Sequence, residues 1–185
     1  MQMESRLGRS PLLLTRIATF VAVGVVLGFL LSGIPNVELV TAVCFLSGFL
    51  FGFRAGLLTG ALTEVIFAGF HPMGSSLGLL LAAQIIGMSL AGASGTLAAL
   101  SVGMNRTGLR YGMTVVAYGL LTTVFFDFLT NLAFPIMAGF SFSQTLITLA
   151  AGVPFAAIHL ISNAMVFSLI VVPIIPRLHK TLLWT

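Results

Sequence analysis

The chain has 185 residues, of which 58% are hydrophobic and only 6% charged, with a formal net charge of +4 and a mean hydropathy of +1.16. A soluble domain carries about a quarter charged residues, so this composition excludes a water-covered fold, and the short polar stretches leave residues 1–185 as a single membrane domain. The basic residues sit at segment ends rather than among aromatics, which argues against a nucleic-acid partner, and one cysteine, Cys44, excludes an internal disulfide or a multi-cysteine metal centre.

Breaks in hydropathy predict six apolar segments, at about 12–33, 38–53, 55–70, 77–101, 111–134 and 145–175. In the first, Arg6, Arg9 and Arg16 precede a run from Ile17 to Leu31 that imitates a secretory signal. No A-x-A-like cleavage site follows, so a retained helix is expected. Segments two and three are each shorter than the about 20 residues of a straight span. Only Gly52 to Gly56 separates them, and short, tilted or partly re-entrant helices are expected there. The sixth segment is too long for one straight span, and Pro154 is expected to bend it or to mark the start of its spanning part.

Six spans place Arg6, Arg9, Arg16, Arg54, Arg106, Arg110, Arg177 and Lys180, all the Lys and Arg of the chain, on one side. The loops near 34–37, 71–76 and 135–144 contain none. The positive-inside rule then puts both termini in the cytoplasm, with residues 1–11 as an N-terminal arm and 177–185 as a tail. The fold expected is an all-α membrane protein, a compact bundle of six transmembrane helices in a cytoplasmic membrane.

Small residues recur four apart at Ala18 and Ala22, Gly24 and Gly28, Gly48 and Gly52, Gly56 and Gly60, and Gly87 and Ala91. Each pair shares a helix face and permits close approach of a neighbouring backbone, most often within the bundle itself.

Ionisable groups inside an apolar zone are costly and face a bundle interior or a wet cavity. Here they are Glu64, Asp127 and His159, accompanied by Gln84, Asn131 and Asn163, with His71 at a helix end. Counted from the basic side, all seven fall toward the outer half, given a last span that begins near Pro154. Asp127 and Asn131 share one helix face, His159 and Asn163 a second, and Glu64 and His71 a third. A substrate-binding pocket open to the outside is expected, closed below by small-residue packing and covered by the loops at 34–38, 70–76 and 134–144. The alternative for each carboxylate is a helix-to-helix bridge that binds nothing.

The chain has no P-loop, no G-x-S-x-G, no H-E-x-x-H and no cysteine–histidine cluster. No catalytic residue, metal or cofactor is therefore assigned, and the chain is not expected to be an enzyme. No internal repeat marks a self-sufficient transporter.

The length, the six segments, Ala18-x-x-x-Ala22, and the run from Pro35-Asn36-Val37-Glu38 through Gly48, Gly52, Arg54 and Gly56 resemble the substrate-binding S-components of energy-coupling factor (ECF) transporters, over roughly Thr15 to Pro176. The resemblance implies a vitamin or related micronutrient captured at the outer face, and toppling of the subunit within the bilayer for ATP-driven uptake. It also implies a T-component and two cytoplasmic ATPases as partners, with Ala18 and Ala22 matching the family's docking motif. Ligand residues vary with substrate in that family, and none is carried over. Two other readings stand beside it: a structural or assembly scaffold, and a self-sufficient small permease.

With Glu64 and Asp127 in the pocket and no Lys or Arg near it, the ligand is expected to be cationic, or neutral with hydrogen-bond donors. An apolar ring on it would use Phe67, Phe70 and Phe134.

Overall fold

In the computed structural model the described residues are 2–103 and 106–182, with only the backbone considered for 2–10 and 182. The side chains of Arg6 and Arg9 and the tail beyond 182 therefore lie outside the described residues. The described chain is all helical: α1 (Gln2–Leu31), α2 (Val40–Phe51), α3 (Phe53–Gly69), α4 (Gly78–Val102), α5 (Gly108–Met137), α6 (Phe142–Val166) and α7 (Val172–Leu182). α6 continues through a π-helical turn, Phe167–Val171, into α7, so six rods result.

Four helical stretches, Pro11–Leu31, Gly78–Val102, Gly108–Met137 and Phe142–Thr181, are long and apolar enough to cross a membrane. This is the pattern of a multi-pass membrane protein. Large apolar side chains such as Leu30, Leu100 and Leu121 point outward from the bundle, as suits a lipid-facing surface.

The short helix is the centre of the bundle. Eleven of the twelve residues of α2 are buried, because α1, α3, α4, α5, the π turn and α7 all pack around it. Its partner α3 follows after a single residue, Gly52, whose φ of 92° suits glycine and lets the chain reverse without a loop. The reversal is tighter than the five-residue separation read from the sequence.

α1 packs on α2 and α3, whereas α6 packs on α5 and on its own continuation. Phe167 in the π turn is fully buried, stacking edge-on against Phe45 with 5.0 Å between ring centroids and filling the hollow over Gly119. The widened turn of a π-helix re-aims side chains at such a point. The irregularity of the last rod thus lies at 167–171. Helix α6 runs unbroken through Pro154 and starts at a Ser141/Gln144 capping box, which corrects the expectation that the span begins near Pro154.

α3 and α4 touch backbone to backbone. A Cβ added at Gly56 would strike the Gly92 carbonyl, and one at Gly60 would strike the carbonyl of Met88. Glycine alone permits this approach, which replaces the missing hydrophobic drive in lipid with close van der Waals contact. Ala18 and Ala22 differ from the other pairs. They are exposed, while Ile17, Val21, Gly24 and Gly28 turn inward on the same helix.

Candidate functional site

α2 has only 12 residues, about 18 Å at 1.5 Å per residue, whereas α5 has 30, about 45 Å on the same rise. The helices around α2 therefore overrun its N-terminal end, and a cavity of about 590 Å³ lies above Val40. The end of α1, the 32–38 loop, α3, α4, α5 and α6 wall it. Arg16 and Arg106 lie at the opposite end, stacked at 5.0 and 5.2 Å on Phe51 and Phe49 respectively.

Of the residues singled out from the sequence, Glu64, His71, Gln84, Asp127, Asn131 and His159 all line this one cavity. Asn163 does not. It is fully buried behind the wall, where its amide donates to Glu38 Oε1 at 3.2 Å and to Thr123 Oγ1 at 3.0 Å.

The residue missed is Glu38, which the sequence reading placed only in a covering loop. Its side chain turns down into the bundle. Oε2 accepts the Thr41 backbone N–H at 2.8 Å, and Oε1 is 3.3 Å from His159 Nε2. Its signal was its position just before α2, since a carboxylate there meets the unsatisfied N–H groups of a helix start.

The polar residues divide into two groups. In the first, His159 stands between two carboxylates, with Nδ1 at 2.7 Å from Asp127 Oδ1 and Nε2 facing Glu38. Ionised carboxylates only accept, so the arrangement is complete when both ring nitrogens carry hydrogen. With Asn163 and Thr123 this network ties the start of α2 to α5 and α6.

The second group differs in leaving oxygens unpaired against the cavity, among the described residues. Glu64 is 2% exposed, and its Oε2 has no hydrogen-bond partner; neither has Oε1 of Gln84. Both face the cavity. A buried polar atom left unpaired costs about 1–3 kcal/mol, and more when charged, so these two acceptors are a standing demand for donors. His71, half-buried at the rim, packs its ring edge-on against Phe67 at 5.0 Å and accepts the Met73 N–H at 3.2 Å.

The apolar wall includes Phe67, Phe126 and Phe155 together with Met88. Phe70 and Phe134, expected to serve a ligand ring, are not part of it. Phe70 is 75% exposed, and Phe134 stacks on Phe140 at 5.7 Å. The 134–144 segment contributes nothing to the lining either, since α5 and α6 carry it past the cavity; the 32–38 loop, His71 and Met73 form the rim.

Among the described residues, no group of three His, Cys, Asp or Glu side chains has the geometry to hold a metal ion. Comparison of the chain with protein-family models, curated proteins and solved structures finds no match.

Proposed function

We propose that this chain is the membrane-embedded substrate-binding subunit of an ECF-type importer, which captures a vitamin or related micronutrient at the outer face for uptake driven by a partner ATPase module. The observation that carries the reading is the cavity above the shortened α2, with the buried Glu64 and the half-buried Gln84 each turning an unpartnered buried oxygen toward it. A scaffold protein needs buried polar groups only as helix ties, and the Glu38–His159–Asp127 network would serve it as well. It has no use for acceptors left open beside a cavity of about 590 Å³.

In this reading all six rods span the bilayer and both termini are cytoplasmic, so the basic end of the bundle faces the cytoplasm and the cavity faces out. The exposed Ala18 and Ala22 offer α1 a flat strip on which a T-component helix can dock. The chain holds no nucleotide-binding motif, so energy comes from elsewhere.

The test is reconstitution. Cells expressing the chain should accumulate the micronutrient only when the T-component and ATPases are present, while the purified chain alone binds it. Uptake by the chain alone would favour a self-sufficient permease, and the absence of both binding and uptake would favour a scaffold.

A further inference from the structure

The glycine contact between α3 and α4 sets their register. Gly56 meets Gly92, and four residues farther along α3 Gly60 meets Met88, four residues back along α4. The next step of four on each helix brings Glu64 and Gln84 to the same level, on the faces that Gly56, Gly60, Met88 and Gly92 turn toward each other. Here the helices give way to the cavity, and both side chains reach it.

The other charges near the cavity are already engaged. The N-terminus of α2, the one positive helix end beneath the cavity, has its Thr41 N–H taken by Glu38. The imidazole of His159 is shared between Glu38 and Asp127. No Lys or Arg lines the cavity. The buried oxygens left unpaired against the cavity are one of the Glu64 carboxylate and one of the Gln84 amide, two acceptors on facing helices, one on an ionisable group.

Resting on the capture reading above, we propose that Glu64 and Gln84 together are the specificity-determining pair of the cavity, and that they select a ligand with adjacent N–H donors on a cationic planar head such as an amidinium, guanidinium or protonated aminoheterocycle. The carboxylate of Glu64 takes one N–H together with the charge, and the amide oxygen of Gln84 takes the other. Phe67, Phe126 and Phe155 supply the apolar surface on which the flat part of the head rests. An anion of the same shape meets the charge of Glu64 with no Lys or Arg in the lining to offset it, and is rejected.

The probes are three ring compounds of one shape: benzamidine, benzamide and benzoate. Their binding to the purified chain in nanodiscs at low salt is measured by calorimetry. Benzamidine is expected to bind at least tenfold tighter than benzamide, about 1.4 kcal/mol, and benzoate not at all. Glu64→Gln keeps the shape and removes the charge, and should abolish the preference. Gln84→Leu should weaken benzamidine by a similar factor while leaving the unliganded protein folded, as judged by its unfolding midpoint. Equal affinity for benzamidine and benzoate, or an unchanged preference in both variants, overturns the pair as the selector and leaves the capture reading standing. Failure of all three probes to bind overturns the proposed pair, and the capture reading then falls as well if reconstitution yields no uptake.

Discussion

Nδ1 of His159 on α6 lies 2.7 Å from Oδ1 of Asp127 on α5, and the opposite ring nitrogen faces Glu38, which sits 121 residues earlier in the chain. One imidazole thus holds together the start of the central helix and the last helical pair. His159→Ala leaves two carboxylates facing each other around a void. Removing one partner of a buried pair costs about 3–5 kcal/mol. The unfolding midpoint should fall sharply in the single variant, and much of the loss should return in the triple variant that also carries Glu38→Gln and Asp127→Asn. A His159→Ala protein as stable as the parent would show that the network ties nothing.

The α3–α4 seam admits a similarly direct check. Gly92→Val would force side-chain atoms into the Gly56 backbone, and overpacking of this kind costs about 1–3 kcal/mol or more. Gly69→Ala meets nothing within 4 Å and should be silent. Comparable yields and unfolding midpoints for the two variants would contradict the close approach of the helices.

How legible was this arrangement before the structure? Most helix limits were readable to within several residues because Gly52 to Gly56 and the loops near 71–76 and 135–144 interrupt apolar runs, and Glu64, Gln84, Asp127, Asn131 and His159 stood out as polar groups in an apolar stretch. Glu38 did not. A carboxylate in a loop between two helices is inexpensive, and nothing local reveals that it turns inward to a histidine 121 positions away. Faces near helix ends were equally hard to assign: Phe67 lines the cavity, but Phe70, three residues on, does not. Pro154 attracted attention because proline removes a helical hydrogen bond, yet the irregularity came at 167–171, where Phe167 must reach between α2 and α5.

Docking on a partner predicts a split between binding and transport. Ala18 and Ala22 are exposed on α1, so Ala18→Leu and Ala22→Leu should leave the isolated subunit's folding and ligand affinity within twofold of the parent. Uptake in the presence of the T-component and ATPases should be lost. Equal loss of binding and uptake would place the pair inside the bundle's own packing.

Orientation is open to labelling. In a Cys44→Ser background, cysteines at Ser75 and Ser143, both exposed, should react with an impermeant maleimide added to intact cells. One at Thr107, also exposed, should react only after permeabilisation. Labelling of the Thr107 position in intact cells would invert the topology and put the cavity on the cytoplasmic side.

The central claim is that the space above α2 holds a small molecule through Glu64. Native mass spectrometry of the purified chain, equilibrated with a mixture of vitamins and related micronutrients, tests it most directly. The account predicts one adduct of a single mass on the parent chain and its loss in Glu64→Gln. A parent chain that emerges without an adduct, or an adduct equally abundant in Glu64→Gln, would contradict it.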